Sequence, residues 1–346
     1  QDKAVLVGAW DISPDLAPIF RTVHGSLDNN VYLGSSRGDI MTTSLASFPC
    51  ANILVGGPPC PPFSSCGRRL AMQDSRARPF ERCIEVICEL DNRRRKGQAT
   101  RELCFFILEQ VAGICFKTNR DKPSTFDMLL GTLRDRLKER WLISAIRVNT
   151  LNYGLPQNRD RVYIIGQLFS VDLLGALVDR CAAMPMKTIG EVFPGITSLW
   201  HALRPRGYGP GGDHCVIPAD EWYPALDTKC LRGPPTNYRP HPRDHPAGLQ
   251  QCSIPSARTL LYLLGFPRNY LTDSEISAPR CKCPHVCNGH RSTQIGRQLG
   301  RCWSVSAAFN IAREIRQHAA NVRPDRLDLD GFDAHDAAPA HARRWL

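Results

Sequence analysis

At 346 residues, 42% of them hydrophobic, the chain can bury the core of one large domain, or of a large and a small one. Its net charge of +11 favours a polyanionic partner such as nucleic acid, and no apolar run approaches the ~18 residues of a membrane span, so no membrane partner is expected. Fifteen cysteines without framework spacing argue against a disulfide-stapled secreted scaffold and for reduced thiols, in the nucleus of a eukaryote or otherwise in the cytoplasm.

In chain order, Val5–Trp10 reads as a strand and Leu16–Val23 as a helix. Ala51–Val55 reads as a buried strand that runs into Gly56-Gly57-Pro58-Pro59. Beyond Pro79, a residue suited to a first helical turn, Phe80, Ile84, Ile87 and Cys88 recur at helical spacing. Leu103–Val111 is a continuous apolar strand, and Ser124 or Thr125 caps a helix bearing Met128, Leu129, Leu133 and Leu137. Leu142–Val148 and Val162–Gly166 complete the series as strands. Such alternation predicts an α/β fold with a mostly parallel sheet covered on both faces.

Residues 167–250 break the pattern with the loops Gly207–Gly212 and Arg232–Pro246, which predict a small irregular region. Helical patterns return at Leu260–Phe266 and Val305–Ile315, and residues 318–346 have the composition of a disordered tail. The expected organisation is a domain over 1–166, an irregular region over 167–250 and a return to the first domain over 251–317.

The sharpest motif is Gly56-Gly57-Pro58-Pro59-Cys60-Pro61-Pro62-Phe63-Ser64-Ser65. A cysteine just past the end of a sheet strand sits where open α/β sheets bind ligands. The flanking prolines stiffen the loop and remove N–H donors, and Arg68 and Arg69 favour the nucleophilic thiolate. Glu109 ends a strand in Ile107-Leu108-Glu109-Gln110-Val111, and Gln157-Asn158-Arg159-Asp160-Arg161 precedes another, with Arg159 and Arg161 alternating onto one face. Asp11, in Ala9-Trp10-Asp11-Ile12, is placed to accept hydrogen bonds from ribose hydroxyls, and Gly38-Asp39-Ile40 follows at the next turn.

Together these motifs resemble, in order and over about 300 residues, the cytosine-C5 DNA methyltransferases that use S-adenosylmethionine. The resemblance implies the Rossmann-like methyltransferase fold and a nucleophilic thiolate at Cys60 that adds to C6 of a flipped cytosine in DNA. It implies Glu109 at N3 of that base, Arg161 in contact with it, and Arg159 supporting the catalytic loop or the backbone. It places Asp11, Ile12, Asp39, Ile40 and Ser304 at the cofactor, Asp39 receiving the adenine amino group. Residues 167–250 become the target-recognition region. Three positions depart from the family pattern: Pro61 stands for Gln or Asn, Gln110 for Asn, and Arg301 for Asn. The family's Gly-rich Phe-x-Gly-x-Gly loop has no counterpart ahead of Val5, so the chain is expected to be truncated before that motif.

Two rivals stay open: a tRNA cytosine methyltransferase, suggested by Asp74-Ser75-Arg76 and the short recognition region, and a non-catalytic nucleic-acid-binding relative. Cys281, Cys283, Cys287 and His290 are dense enough for zinc, but the spacing is tighter than common knuckles, and free thiols are the default, with no metal assigned. Asn92–Lys96 is either a phosphate contact, a nuclear address or a solvated loop.

Overall fold

The computed structural model describes residues 5–13, 16–17, 20, 30–34, 36–63, 71–117, 123–137, 141–168, 185–196, 198–201, 215–218, 223–224, 256–267, 270, 303–305, 308 and 310–313. They fall into two compact units, one drawn from within 1–147 and 161–174 and the other from within 148–160 and 175–319.

In the first unit, β1 (Ala9–Asp11) and β2 (Val31–Leu33) form a parallel pair with Asp11 opposite Leu33. Strand β3 (Ile53–Gly56) crosses through helix α1 (Arg78–Arg95) to β4 (Phe105–Val111), which lies parallel to it. Helix α2 (Thr125–Leu137) then leads to β5 (Leu142–Asn149). Past the two-residue β6 (Gln157–Asn158), β7 (Asp160–Gln167) pairs antiparallel with β4. The sheet order is β3-β4-β7-β5, so the expected mostly parallel sheet is in fact mixed. The short link between β5 and β7 turns the chain straight back, where a parallel return would need a longer crossover.

The core explains these elements. Phe80, Ile84, Ile87 and Leu90 make one face of α1, and Leu129, Leu133 and Leu137 one face of α2; both meet Phe106, Leu108, Val162 and Ile164 of the sheet. Phe105 and Ile107 point to the opposite face and are buried as well, so β4 is covered on both sides, as its unbroken apolar run requires. Ser124 is the N-cap of α2: its Oγ accepts the Asp127 amide at 3.1 Å and Asp127 answers by accepting the Ser124 amide at 2.9 Å.

Strand β3 departs from its sequence reading. Among the described residues it is the edge of its sheet, and Ile53 and Val55 are 45% and 59% exposed, where a buried strand was expected. An apolar run reports strand propensity but not how many neighbours the strand will find.

The Asn92–Lys96 run is the last turn of α1 and its cap, and its arginines fold back on the protein. Arg93 donates to the carbonyls of Phe48 (2.7 Å) and Leu45 (2.6 Å) and pairs with Glu89. Asp91 is buried and receives Arg94 at 2.8 Å, Arg95 at 3.1 Å and the Trp141 indole N–H at 3.1 Å.

In the second unit, β6 pairs in parallel with β10 (Tyr223–Pro224). Helix α3 (Ile189–Val192) starts on a Thr188–Glu191 capping box, and β8 (Ser198–His201) pairs antiparallel with β9 (Cys215–Pro218). This β8–β9 pair lies in the stretch that sequence periodicity left irregular. Helix α4 (Ala257–Leu263) begins one turn earlier than its apolar pattern, because Ser256 caps it by accepting the Thr259 amide at 3.0 Å. Residues 305, 308 and 310–313 are helical, inside the expected Val305–Ile315. Most of Leu16–Val23, the loops Gly207–Gly212 and Arg232–Pro246, the Cys281/Cys283/Cys287/His290 cluster and the tail lie outside the described residues. Among the described residues no helix is long and apolar enough to cross a membrane.

Replacing Asp91 with alanine strips two arginines and an indole of their buried acceptor. The expected loss of stability is about 3 kcal/mol or more, read from the midpoint of urea unfolding.

Candidate active site

The register of β4 against β7 sets the central pair. Glu109 lies opposite Tyr163 and Val111 opposite Arg161, so side-chain alternation puts Glu109 and Arg161 diagonally on one face. Arg161 Nε stands 2.9 Å from Glu109 Oε1, with both side chains largely buried. Two residues chosen from separate motifs are thus brought together.

Gln110, next in sequence, points to the opposite face and is fully buried. Its Nε2 donates to the Pro58 carbonyl at 3.2 Å and its Oε1 accepts the Val111 amide at 2.9 Å. This ties the start of the Cys60 loop to the end of β4. On the other side of Cys60, the Phe63 amide donates to the Cys60 carbonyl at 3.0 Å, and the buried Phe63 ring meets Phe80 of α1 edge-on at 6.3 Å. The half-buried Cys60 thiol therefore sits on a turn anchored at both ends. Ser64, Ser65, Arg68 and Arg69 lie outside the described residues.

The remaining thiols differ in their surroundings. Burial pushes Cys83 up to about 12. Burial also raises Cys50, but hydrogen bonds from the Thr100 backbone and hydroxyl, the Arg101 backbone and Arg93 outweigh it and bring that thiol below its ordinary value.

A second cluster gathers at the ends of β1 and β2. The Asp11 carbonyl accepts the Gly34 amide at 2.9 Å, while its Oδ1 accepts the Ser13 amide at 2.6 Å. A side chain on Gly38 would put its Cβ 2.3 Å from the Asp11 carbonyl oxygen and 2.7 Å from that of Tyr32. Only glycine lets the Asp39 turn press against the strand ends. Asp39 Oδ1 accepts the Met41 amide at 2.9 Å. Each carboxylate thus uses one oxygen to hold its own turn. Ile12 is exposed, and Ile40 packs partly on the core. Two positioned acceptors beside an exposed apolar side chain suit a nucleoside, with its hydroxyls, amino group and flat ring.

Arg159 and Ser304 belong to the second unit. The extended segment is interrupted at Arg159, between β6 and β7. Its amide donates to Gln157 O at 3.1 Å and to Thr150 Oγ1 at 3.2 Å, its carbonyl accepts the Thr150 amide at 3.0 Å, and its side chain is 1% exposed. Ser304 is buried, and among the described residues its hydroxyl has no hydrogen-bond partner. Sequence reasoning missed the clasp by Thr150 and the reach of Gln110 to Pro58; a threonine in a loop carries no local signal for the first.

The profile of the "C-5 cytosine-specific DNA methylase" family matches residues 3–179. Among curated relatives, the type II methyltransferase M.NgoBI of Neisseria gonorrhoeae is 33% identical over 129 residues, 37% of this chain and 35% of the relative. Type II methyltransferase M.HpaII of Haemophilus parainfluenzae is 38% identical over 115 residues, 33% of this chain and 28% of the relative. The match spans about a third of the length of these relatives. The solved structure of S. pombe Dnmt2 methyltransferase superposes with a TM-score of 0.57 at 15% identity, covering 92% of this chain and 93% of that one. A mutant of Spodoptera frugiperda DNMT2 gives 0.52 at 13% identity, covering 90% and 92%. These two structures show the fold, the Rossmann-like α/β methyltransferase architecture.

Two outcomes follow from this geometry. Gln110→Ala leaves the buried Pro58 carbonyl without its donor, so backbone amides of the Cys60 loop should exchange faster, by about 1–3 kcal/mol of opening free energy. At pH 8, well below the Cys83 value, an alkylating reagent should modify Cys50 ahead of Cys83, as peptide mass mapping would read.

Proposed function

The chain belongs to the family of C-5 cytosine-specific DNA methylases, and from that premise we propose that it transfers a methyl group from S-adenosylmethionine to C5 of cytosine in DNA through a covalent adduct of Cys60. The observation that carries the reading is the pairing of Glu109 with Arg161 on the strand whose next residue, Gln110, holds the Cys60 loop.

C5 of a pyrimidine is a poor carbon nucleophile, and the residues answer that difficulty. The Cys60 thiolate forms a bond to C6, and the electron pair of the C5–C6 double bond moves into the ring toward N3. The Glu109 carboxyl, hydrogen-bonded at N3, stabilises that charge, and the Arg161 guanidinium holds the base beside it. The base-free ion pair between the two opens to admit the ring. Bound S-adenosylmethionine supplies the electrophilic methyl group. After transfer, water takes the C5 proton, and the electron pair left behind restores the C5–C6 double bond as the bond to sulfur breaks and the thiolate departs. Asp11 would take the ribose hydroxyls, Asp39 the adenine amino group, and Ile12 and Ile40 the ring faces. Arg159 and Ser304 are assigned on their motifs alone, Arg159 supporting the loop or backbone and Ser304 beside the cofactor. Residues 167–250 would read the target, and the basic chain would offset the few kcal/mol lost when the cytosine leaves its stack.

The test offers the chain duplex DNA and tRNA in parallel, with S-adenosylmethionine, and repeats the DNA arm with 5-fluorocytosine, whose C5 fluorine blocks release. The expected result is methylated duplex DNA and an adduct that survives denaturing electrophoresis with wild type and vanishes in Cys60→Ser. Glu109→Ala should slow methyl transfer by about 10²–10⁴-fold. Methylation of tRNA alone would reassign the substrate, and cofactor binding with no adduct would leave a nucleic-acid-binding relative.

A further inference from the structure

Arg82, in the second turn of α1, reaches across to the turn that follows β2. Its Nε donates to the Ile40 carbonyl at 3.1 Å and its Nη2 to the Thr43 carbonyl at 2.6 Å, while Nη1 pairs with Glu85 at 2.5 Å. The side chain is 16% exposed. From inside, the same turn is closed by Asp39, whose carbonyl accepts the amides of Thr42 (3.1 Å) and Thr43 (3.2 Å). Among the described residues neither carbonyl taken by Arg82 is used by the turn's own backbone bonds. The turn is therefore gripped twice, by its own backbone and by a guanidinium from a core helix.

We propose that Arg82 is a positioning residue for the cofactor: by fixing the Ile40 and Thr43 carbonyls it holds the Asp39 carboxylate where it selects the purine base. The inference rests on the cofactor reading of Asp39 given above. A planar fork that spans two carbonyls is specific to arginine, since a lysine ammonium is a single point charge on a flexible stem. Glu85 steadies the guanidinium but bonds nothing in the turn in these pairs, so its charge is separable from the grip.

The experiment measures binding of S-adenosylhomocysteine, and of its inosine counterpart with a carbonyl in place of the amino group, to the full chain by calorimetry. Arg82→Ala should weaken S-adenosylhomocysteine on the order of tenfold to a hundredfold, the effect of losing charge-assisted hydrogen bonds, and should shrink the preference for the amino purine. Arg82→Lys should fall between, and it alone decides if the alanine variant does not fold. Glu85→Gln should stay within about twofold of wild type, because its pair with Arg82 is partly solvated. Amide exchange over residues 41–43 should quicken in both Arg82 variants. Unchanged affinity and unchanged base preference in those variants would overturn the proposal. If wild type binds neither nucleoside, the cofactor reading itself fails; quicker exchange at 41–43 in that case leaves Arg82 a structural role only and overturns its positioning role.

Discussion

A strand buried on both faces must divide its consecutive side chains between them, and β4 depends on that division. Glu109 goes to one face and meets Arg161 of the antiparallel β7; Gln110 goes to the other and takes the Pro58 carbonyl. A slip of one residue in the β4–β7 pairing would exchange the two faces and separate every partner. The carboxyl, the guanidinium and the cysteine loop are thus held by one element of register. Hydrophobic burial of Phe106, Leu108, Val162 and Ile164 is what makes the register costly to change.

Helix α1 plays a corresponding part beside the Asp39 turn. Arg82 and Arg93 lie roughly three turns apart on it, so they project from nearly the same side. Between them they take carbonyls of Ile40, Thr43, Leu45 and Phe48. The segment between β2 and β3 has little regular structure of its own, and its backbone acceptors would otherwise be left to water. One helix therefore braces the Asp39 turn through arginines and the Cys60 loop through the Phe63–Phe80 contact.

This use of arginine also changes how the charge is read. Part of the +11 balance belongs to side chains engaged in internal bonds: Arg82, Arg93, Arg94 and Arg95 all serve carbonyls or carboxylates within the first unit. Net charge counts these residues alongside those facing solvent, so attraction to a polyanion has to come from the remainder.

The sequence alone missed β2 but carried the strand–helix order from β3 through α2, a cap for α2 at Ser124 or Thr125, the family, and the singling out of Cys60, Glu109, Arg161, Asp11 and Asp39. Each of these is written locally, in periodicity, cap chemistry or a short motif. Tertiary structure alone decided that β7 runs antiparallel, that Ile53 and Val55 face outward on an edge strand, and that a paired β8–β9 lies within a stretch with no periodicity. It also decided that the longer side chain of Gln110 reaches Pro58, and that Arg93 and Arg94 fold inward where a string of charges suggested solvent. The reason is common to all of them: which neighbour a side chain finds depends on residues far away in the chain, and neither propensity nor spacing encodes that partner.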